Sequence, residues 1–162
     1  MIERLVLAVA LDTNVLAYAQ GVERVAEDLP KIDQSRRLMR RFLDSEVRVT
    51  IAIQALAELH NVLVTRRRLS PSRAATAVRG WISRADVAPS SQATLGAALD
   101  LAADHALPIF DALILAAAVE GRCDLLLSED FQDGFAWRGV VVTNPFGPAP
   151  DRRLARVMAT GA

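Results

Sequence analysis

Short apolar segments alternate with helical patterns along the whole chain, and this order of elements constrains the fold more than any other feature. Strand-like segments cover residues 5–11, 47–51, 85–88, 124–127 and 139–143, and helical periodicity fills most of the intervals. Strands that alternate with helices usually form a parallel sheet with helices on its faces. We therefore predict an α/β fold in which a central, mainly parallel sheet is flanked by helices.

The helices are predicted from apolar spacing and from residues that begin or end a helix. These signals favour helices at residues 13–19, 34–44, 53–68, 71–84, 90–105 and 110–120, with a polar loop or short helical excursion at 20–33. A chain of 162 residues suits one domain, which buries about 70% of its unfolded surface. We expect this domain to cover residues 1–146 and a flexible tail, or a frayed helix, to cover 147–162.

The charges balance, with 19 basic and 19 acidic residues, so the chain as a whole has no net attraction to nucleic acid. Arginine supplies all but one of the basic residues, and seven arginines form two clusters: Arg36, Arg37, Arg40 and Arg41, then Arg66, Arg67 and Arg68. Guanidinium groups match phosphate geometry. A solvated helix face and a positively charged helix end explain the same clusters equally well, so both interpretations stay open.

The composition also bears on compartment and partners. The apolar stretch 95–119 is interrupted by Asp100, Asp104 and Pro108, which leaves it far short of the roughly 20 apolar residues that a membrane span needs. The single cysteine, Cys123, cannot form an intramolecular disulfide and fits a reducing compartment. We expect a cytoplasmic protein without membrane contact. A hydrophobic fraction of 52% favours a buried interface with a partner protein.

The segment LDTNVLAY places Asp12, Thr13 and Asn14 where a buried strand changes into a helix. All three residue types cap the free N–H groups of a first helical turn, and Asp also complements the helix dipole. The same junction lies at the carboxyl edge of a parallel sheet, where open α/β folds bind ligands. The other acids must decide between capping and chemistry.

Three further acids lie close to strand-to-helix junctions. Asp111 begins the helix after Pro108, Asp130 follows the strand at 124–127, and Glu58 lies one turn inside the helix that follows the second strand. Each has an ordinary structural explanation as a cap, a turn residue or a solvated side chain. Right-handed crossovers, however, bring all such junctions to one edge of the sheet. Together with Asp12, these acids are therefore expected to share one cavity.

A cavity lined by four acids predicts a metal ion. Like carboxylates that lie together raise one another's pKa, and a hard divalent cation is the usual compensation. Mg²⁺ prefers oxygen ligands, and it keeps several waters while it binds a few carboxylates and a substrate phosphate. Mn²⁺ is the alternative cation. Such a site can activate water and stabilise the transition state of phosphodiester hydrolysis.

At these segments the sequence resembles PIN-domain ribonucleases, and among them the VapC toxins of bacterial toxin–antitoxin pairs. The resemblance extends over residues 5–146 and is carried, in order, by LDTNVLAY, IAIQALAELHNVL, FDALILAAA and LLLSEDFQDG. It implies that four acids bind the metal and are catalytic: Asp12, Glu58, Asp111 and Asp130. It also implies three polar residues that support them: Thr13, Asn14 and Ser128. Asp133 is an additional acid near this site, and its role stays open.

The resemblance further implies a Mg²⁺-dependent endoribonuclease that leaves a 5′-phosphate, acts on an RNA substrate, forms a homodimer and is inhibited by a VapB-like antitoxin. The two arginine clusters then become candidate RNA contacts. The alternative is a catalytically silent PIN-like module that binds RNA or protein. Metal binding that disappears in Asp12→Asn would favour the enzyme.

Other classes lack residues that they need. A dehalogenase-like phosphatase requires a second Asp two positions after the first, where this chain has Asn14. A response-regulator receiver requires a lysine at the sheet edge, but Lys31 lies in a polar segment. His60 and His105 show no zinc-ligand spacing, and there is neither a Walker or Rossmann glycine loop nor a G-x-S-x-G elbow.

Overall fold

The computed structural model describes residues 6–160, which fold around one six-stranded sheet. The strands are β1 (Leu7–Leu11), β2 (Val47–Ala52), β3 (Asp86–Ala88), β4 (Leu125–Leu127), β5 (Ala136–Trp137) and β6 (Val140–Thr143). The helices are α1 (Thr13–Ala19), α2 (Leu29–Leu43), α3 (Ile53–Thr65), α4 (Pro71–Ile82), α5 (Gln92–His105), α6 (Ile109–Glu120) and α7 (Arg152–Ala159), with a 3₁₀ turn at Ala26–Asp28 before α2. The predicted α/β class with a mainly parallel sheet is confirmed.

The sheet has the order β3-β2-β1-β4-β6-β5, and all neighbouring strands except β5 and β6 pair in parallel. From β1 the chain first moves outward through β2 and β3, and it then returns to the other side of β1 as β4. The strand order therefore reverses between β1 and β4. In open α/β sheets a crevice for ligands forms outside the carboxyl ends of the two strands at such a reversal.

The core lies at this central pair of strands and under α6. Leu11, Leu125, Leu126 and Leu127 are fully buried, as expected for strands covered on both faces. Helix α6 is buried along Ala112–Ala118, because it lies against the sheet and packs along α5. Its first turn carries Asp111 at the edge of this buried stretch.

Helix α2 begins at Leu29, five residues before the predicted start at residue 34. Gly21, Pro30 and mixed charge predict a loop or a short helical excursion at residues 20–33, and the 3₁₀ turn at Ala26–Asp28 is such an excursion, but the segment also contains the first turn of α2. Proline in the first helical turn is harmless, however, since its missing N–H would have no partner there. Strand β1 begins at Leu7, whereas the prediction began at residue 5, which lies outside the described residues.

A short hairpin at the sheet edge was not predicted. Strand β5 pairs antiparallel with β6 through a two-residue loop, Arg138 and Gly139, which both have positive φ. Positive φ at both loop residues is the requirement of a type I′ turn. Arginine is an unusual residue for that conformation, so the turn had no recognisable signal in the sequence.

The segment after residue 146, for which a flexible tail or a frayed helix is expected, contains helix α7. Helix α7 packs against α2, with Leu154 only 1% exposed. The Arg41 guanidinium donates to the carbonyl oxygen of Val157 from Nε at 3.2 Å and from Nη2 at 2.9 Å. Within residues 6–160, no helix combines the length and apolar character needed to cross a membrane.

Candidate functional site

Asp12 lies at the reversal between β1 and β4. Its backbone N–H donates to the carbonyl oxygen of Leu127 at 3.0 Å, which joins the ends of the two strands. Its side chain caps α1, because Oδ1 accepts a hydrogen bond from the N–H of Thr13 at 2.6 Å, and Oδ2 accepts one from Ser128 Oγ at 2.5 Å. Asp12 is 2% exposed. Capping and placement at the ligand-binding edge therefore coincide in one residue.

Asn14 connects Asp12 with Asp130. Its side-chain Nδ2 lies 3.0 Å from Asp130 Oδ2, 3.5 Å from Asp12 Oδ2 and 3.4 Å from Ser128 Oγ. Ser128 Oγ also accepts a hydrogen bond from the backbone N–H of Asp130 at 3.1 Å. Asn14, Ser128 and the two aspartates thus form one continuous polar cluster across the strand reversal.

Glu58 joins this cluster from α3. Thr13 Oγ1 donates to Glu58 Oε2 at 2.9 Å, and Gln54 Nε2 donates to Glu58 Oε1 at 2.8 Å. Gln54 was not predicted as a site residue, although its spacing of four positions from Glu58 on one helix is a recognisable signal. Both oxygens of the Glu58 carboxylate are therefore oriented by hydrogen bonds.

The four acids influence one another electrostatically. Burial raises the pKa of Asp12 to about 7, with further upward contributions from the charges of Asp130 and Asp111, while hydrogen bonds from Ser128 and Thr13 oppose the rise. Burial raises the pKa of Asp111 to about 6, and the charges of Asp130 and Glu58 add to this shift. The pKa of Asp111 is thus raised by acids on two other segments, α3 and the loop after β4.

The four acids share a region but do not enclose a common point. Within residues 6–160, no three acidic, histidine or cysteine side chains converge closely enough to coordinate one ion. Asn14 Nδ2 lies between the carboxylates of Asp12 and Asp130, and the buried Asn14 Oδ1 has no hydrogen-bond partner there. The side-chain atoms that surround Asn14 Nδ2 are oxygens of Asp12, Ser128 and Asp130, the donors that hard divalent cations prefer. This set of residues fits Mg²⁺ or Mn²⁺.

Asp133 lies outside the polar cluster. It is exposed, and its Oδ1 accepts a hydrogen bond from the backbone N–H of Asn144 at 2.8 Å. This bond ties the loop after β4 to the end of β6. Asp133 therefore attaches the loop that carries Asp130 to the end of β6.

A cleft of about 210 Å³ opens over Thr13, Asn14, Glu58 and Asp130, and two arginines line it with them, Arg24 and Arg66. Arg66 was a candidate, whereas Arg24 was missed because it lies alone in a segment without periodicity. Arg36 and Arg67 lie beside this region, next to Gly21. A Cβ atom placed on Gly21, which has none, would lie within 4 Å of a guanidinium nitrogen of each arginine.

The remaining candidate arginines are distributed differently. Arg41 lies at the amino-terminal edge of the sheet, where it binds α7 and lines a larger cavity of about 1090 Å³. Arg37, Arg40 and Arg68 are exposed to solvent. The cluster predicted on α2 is therefore divided between opposite edges of the sheet.

The fold and this site define a single α/β domain with an acidic cleft at the carboxyl edge of a parallel sheet, where the strand order reverses. The chain belongs to the PIN domain family, because the family model for the PIN domain matches residues 9–135. This match confirms the family predicted from the four sequence segments. No curated protein matches the chain by sequence.

Several solved structures share the fold at low sequence identity. A toxin–antitoxin complex from Klebsiella pneumoniae aligns with a TM-score of 0.60 and 19% identity, over 85% of this chain and 98% of that one. VapC20 of Mycobacterium tuberculosis, a toxin that cleaves the sarcin–ricin loop, aligns with a TM-score of 0.57 and 18% identity, over 73% of this chain and 86% of that one. DNA-bound VapBC from Salmonella typhimurium aligns with a TM-score of 0.57 and 20% identity, over 84% of this chain and 96% of that one.

Proposed function

We propose that this protein is a metal-dependent endoribonuclease and the toxin of a toxin–antitoxin pair. The observation that carries the proposal is the polar cluster in which Asn14 joins Asp12 and Asp130 at the strand reversal of a PIN domain. Solved structures with the same fold include a toxin that cleaves RNA at the sarcin–ricin loop and toxins in complex with antitoxins. The proposal transfers that activity to this chain.

The cation would be Mg²⁺ or Mn²⁺, held by Asp12, Glu58, Asp111 and Asp130. When bound, it supplies an activated water and stabilises negative charge on the phosphate that is attacked. Ser128 and the N–H of Thr13 fix the two oxygens of Asp12. Thr13 fixes Glu58 from the same helix turn, so α1 orients ligands on two sides of the cleft.

RNA would cross the cleft with its phosphates near Arg24 and Arg66, because these two guanidinium groups lie on the wall that the acids also line. Arg36 and Arg67 would extend the positive surface past Gly21. Paired arginines and acids suit phosphodiester binding, since the guanidinium groups attract the backbone and the acids hold the cation.

The partner would be a VapB-like antitoxin that anchors an apolar segment near residues 34–66 and extends an arginine toward the acids. Ile53, exposed directly after the carboxyl end of β2, supports an apolar contact at the edge of the sheet where the acids lie. The protein would also form a homodimer, and exposed Leu95, Leu99 and Phe110 on α5 and α6 offer an apolar contact for it.

A catalytically silent PIN-like module is the second candidate. One observation favours it, because no three acids among residues 6–160 are already arranged around one ion. Such a protein would bind RNA or an antitoxin through the same cleft without hydrolysis.

The deciding experiment measures cleavage of total bacterial RNA by the purified protein with Mg²⁺, with Mn²⁺ and with EDTA. We expect cleavage with either metal, none with EDTA and none by Asp12→Asn. Asp86→Asn on β3, which removes an exposed ion pair with Arg48 of the neighbouring strand β2, is the matched control and should cleave normally. Cleavage at the same rate in EDTA would contradict the metal-dependent mechanism. Absence of both cleavage and metal binding would favour the silent module.

A further inference from the structure

Glu129, the residue before Asp130, lies in a charged network of which the proposed function uses only Arg24. We call it the Glu129 network, and its members are Tyr18, Arg24, Asp28, Lys31 and Glu129. Lys31 Nζ lies 2.8 Å from Glu129 Oε2, Arg24 Nη2 lies 3.1 Å from Oε1, and Tyr18 donates its hydroxyl proton to Oε1 at 2.6 Å. Lys31 is the single lysine of the sequence.

The two acids and the tyrosine of the network are largely buried, whereas the side chains of Arg24 and Lys31 are 47% and 32% exposed. Tyr18 and Asp28 are each 2% exposed, and the Glu129 side chain is 12% exposed. A buried carboxylate is costly unless positive charges and hydrogen bonds compensate it. Two cationic groups and one hydroxyl compensate Glu129, and the backbone N–H groups of Arg24 and Val25 compensate Asp28. Glu129 therefore has no free oxygen to offer a metal ion.

The network and the acidic cluster are both held by α1. Asn14 binds the side chain of Asp130, and Tyr18, four positions later on the same helix, binds the side chain of Glu129. Residues four apart lie on the same side of a helix. One face of α1 thus contacts two consecutive residues of the loop after β4.

Asp130 depends on this loop for its position. Its carboxylate is exposed, and it reaches Asn14 across a gap between α1 and the loop. Ser128 holds the backbone N–H of Asp130 on one side. The ion pairs of Glu129 connect the loop to α2 through Lys31 and to the segment before α2 through Arg24.

We infer that Glu129 is a positioning residue, which Tyr18, Arg24 and Lys31 hold so that Asp130 stays in contact with Asn14 and next to Asp12. This inference deepens the proposed function, because it assigns the Glu129 network the task of arranging a ligand of the proposed cation. Residues that orient metal ligands typically change metal affinity by about 10–100-fold when they are replaced.

The test compares Glu129→Gln, Lys31→Met and Tyr18→Phe in the full chain with two controls. Lys31→Arg keeps a positive charge that can reach Glu129, and Asp86→Asn removes an exposed ion pair on β3. Mn²⁺ binding is measured by calorimetry, and thermal unfolding is measured in EDTA. We expect Mn²⁺ affinity to fall about tenfold or more in the first three variants. The two controls should keep wild-type affinity.

A second measurement does not depend on metal. The side-chain NH₂ resonances of Asn14, assigned by their loss in Asn14→Asp, report in metal-free protein whether the contact with Asp130 persists. They should shift in Glu129→Gln and stay unchanged in Asp86→Asn. If the wild-type chain binds no Mn²⁺, the proposed function fails, and the Asn14 resonances still decide the positioning role.

The inference is overturned if Glu129→Gln leaves the Asn14 resonances at their wild-type positions. It is equally overturned if Glu129→Gln lowers only the melting temperature while Mn²⁺ affinity stays within about twofold of wild type, because a purely structural role predicts that pattern.

Discussion

The metal-free protein should lose stability as the pH rises, because the folded chain holds the proton of Asp12 more tightly than the unfolded chain does. Burial is the main reason that the pKa of Asp12 rises from 3.8 to about 7. Between these values the folded state binds more protons than the unfolded state. The free energy of unfolding therefore falls with increasing pH across this window and is independent of Asp12 outside it.

The expected size follows from the shift itself. The pKa of Asp12 changes by roughly three units on folding, and each unit corresponds to about 1.4 kcal/mol. Ionised Asp12 thus costs the folded state about 4 kcal/mol at neutral pH, a large part of the 5–15 kcal/mol that typically stabilises a domain. The side chain is 2% exposed, so solvent screens this cost very little. Asp111, whose pKa is also raised, adds to the effect in the same direction.

The assay is urea unfolding in EDTA, followed by tryptophan fluorescence, at several values between about pH 4 and about pH 8. Asp12→Asn keeps the size of the side chain and the oxygen that accepts from Thr13, but it does not titrate. The variant should show a much smaller pH dependence, and it should be more stable than the wild type near the upper limit. Asp86→Asn should keep the wild-type slope. Equal slopes for wild type and Asp12→Asn, or a wild type that gains stability with pH, would refute the reasoning.

Four further predictions concern the cleft, the substrate, the partner and the C-terminal helix. Asp111→Asn should abolish RNA cleavage while circular dichroism shows an unchanged fold. If the variant cleaves RNA at the wild-type rate, Asp111 is not part of the catalytic site. Arg24→Gln with Arg66→Gln should weaken RNA binding and flatten its log–log salt dependence by roughly 0.7 per lost phosphate contact, whereas Arg41→Gln should leave the slope unchanged. Expression of the protein alone should arrest bacterial growth, and coexpression with the product of an adjacent small gene should restore growth. If an arginine of that partner enters the cleft, its replacement by alanine should restore RNA cleavage more than it weakens the complex, which cleavage and pull-down assays would measure. Leu154→Ala should lower the free energy of unfolding by about 2–5 kcal/mol in urea titrations, and a change below 0.5 kcal/mol would mean that α7 does not pack on α2.

The sequence was sufficient for the parallel part of the sheet and for the proximity of the four acids, but of the acids expected in one cavity only Glu58 and Asp130 line the cleft. Apolar runs of strand length followed by helical spacing determine the parallel architecture, and Asp12 stands directly at such a junction. The rule that all these junctions lie at one sheet edge correctly brought Glu58, Asp111 and Asp130 into one neighbourhood. That they would hold a metal ion remains a prediction.

What the sequence did not reveal depends on contacts between distant segments. Tyr18 and Glu129 lie in two of the motif segments, but nothing in the sequence pairs them with each other or with Lys31. Only the fold brings Glu129 within 2.8 Å of a lysine 98 positions away. The division of the arginines on α2 has the same origin, because Arg36 lies near Gly21 while Arg41 binds α7. The start of α2 was missed for a local reason, since Pro30 was interpreted as a loop residue instead of a first-turn residue.

The two edges of the sheet have a consequence for how a partner chain can bind. One edge is β3 with three residues, and the other is β5 with two, which ends at the turn formed by Arg138 and Gly139. Exposed strands this short offer an incoming strand too few backbone hydrogen bonds for stable pairing. The proposed antitoxin would therefore gain little by extending the sheet. We expect recognition through helix surfaces and side chains, so changes in partner specificity should map to exposed side chains and leave the backbone of the sheet untouched.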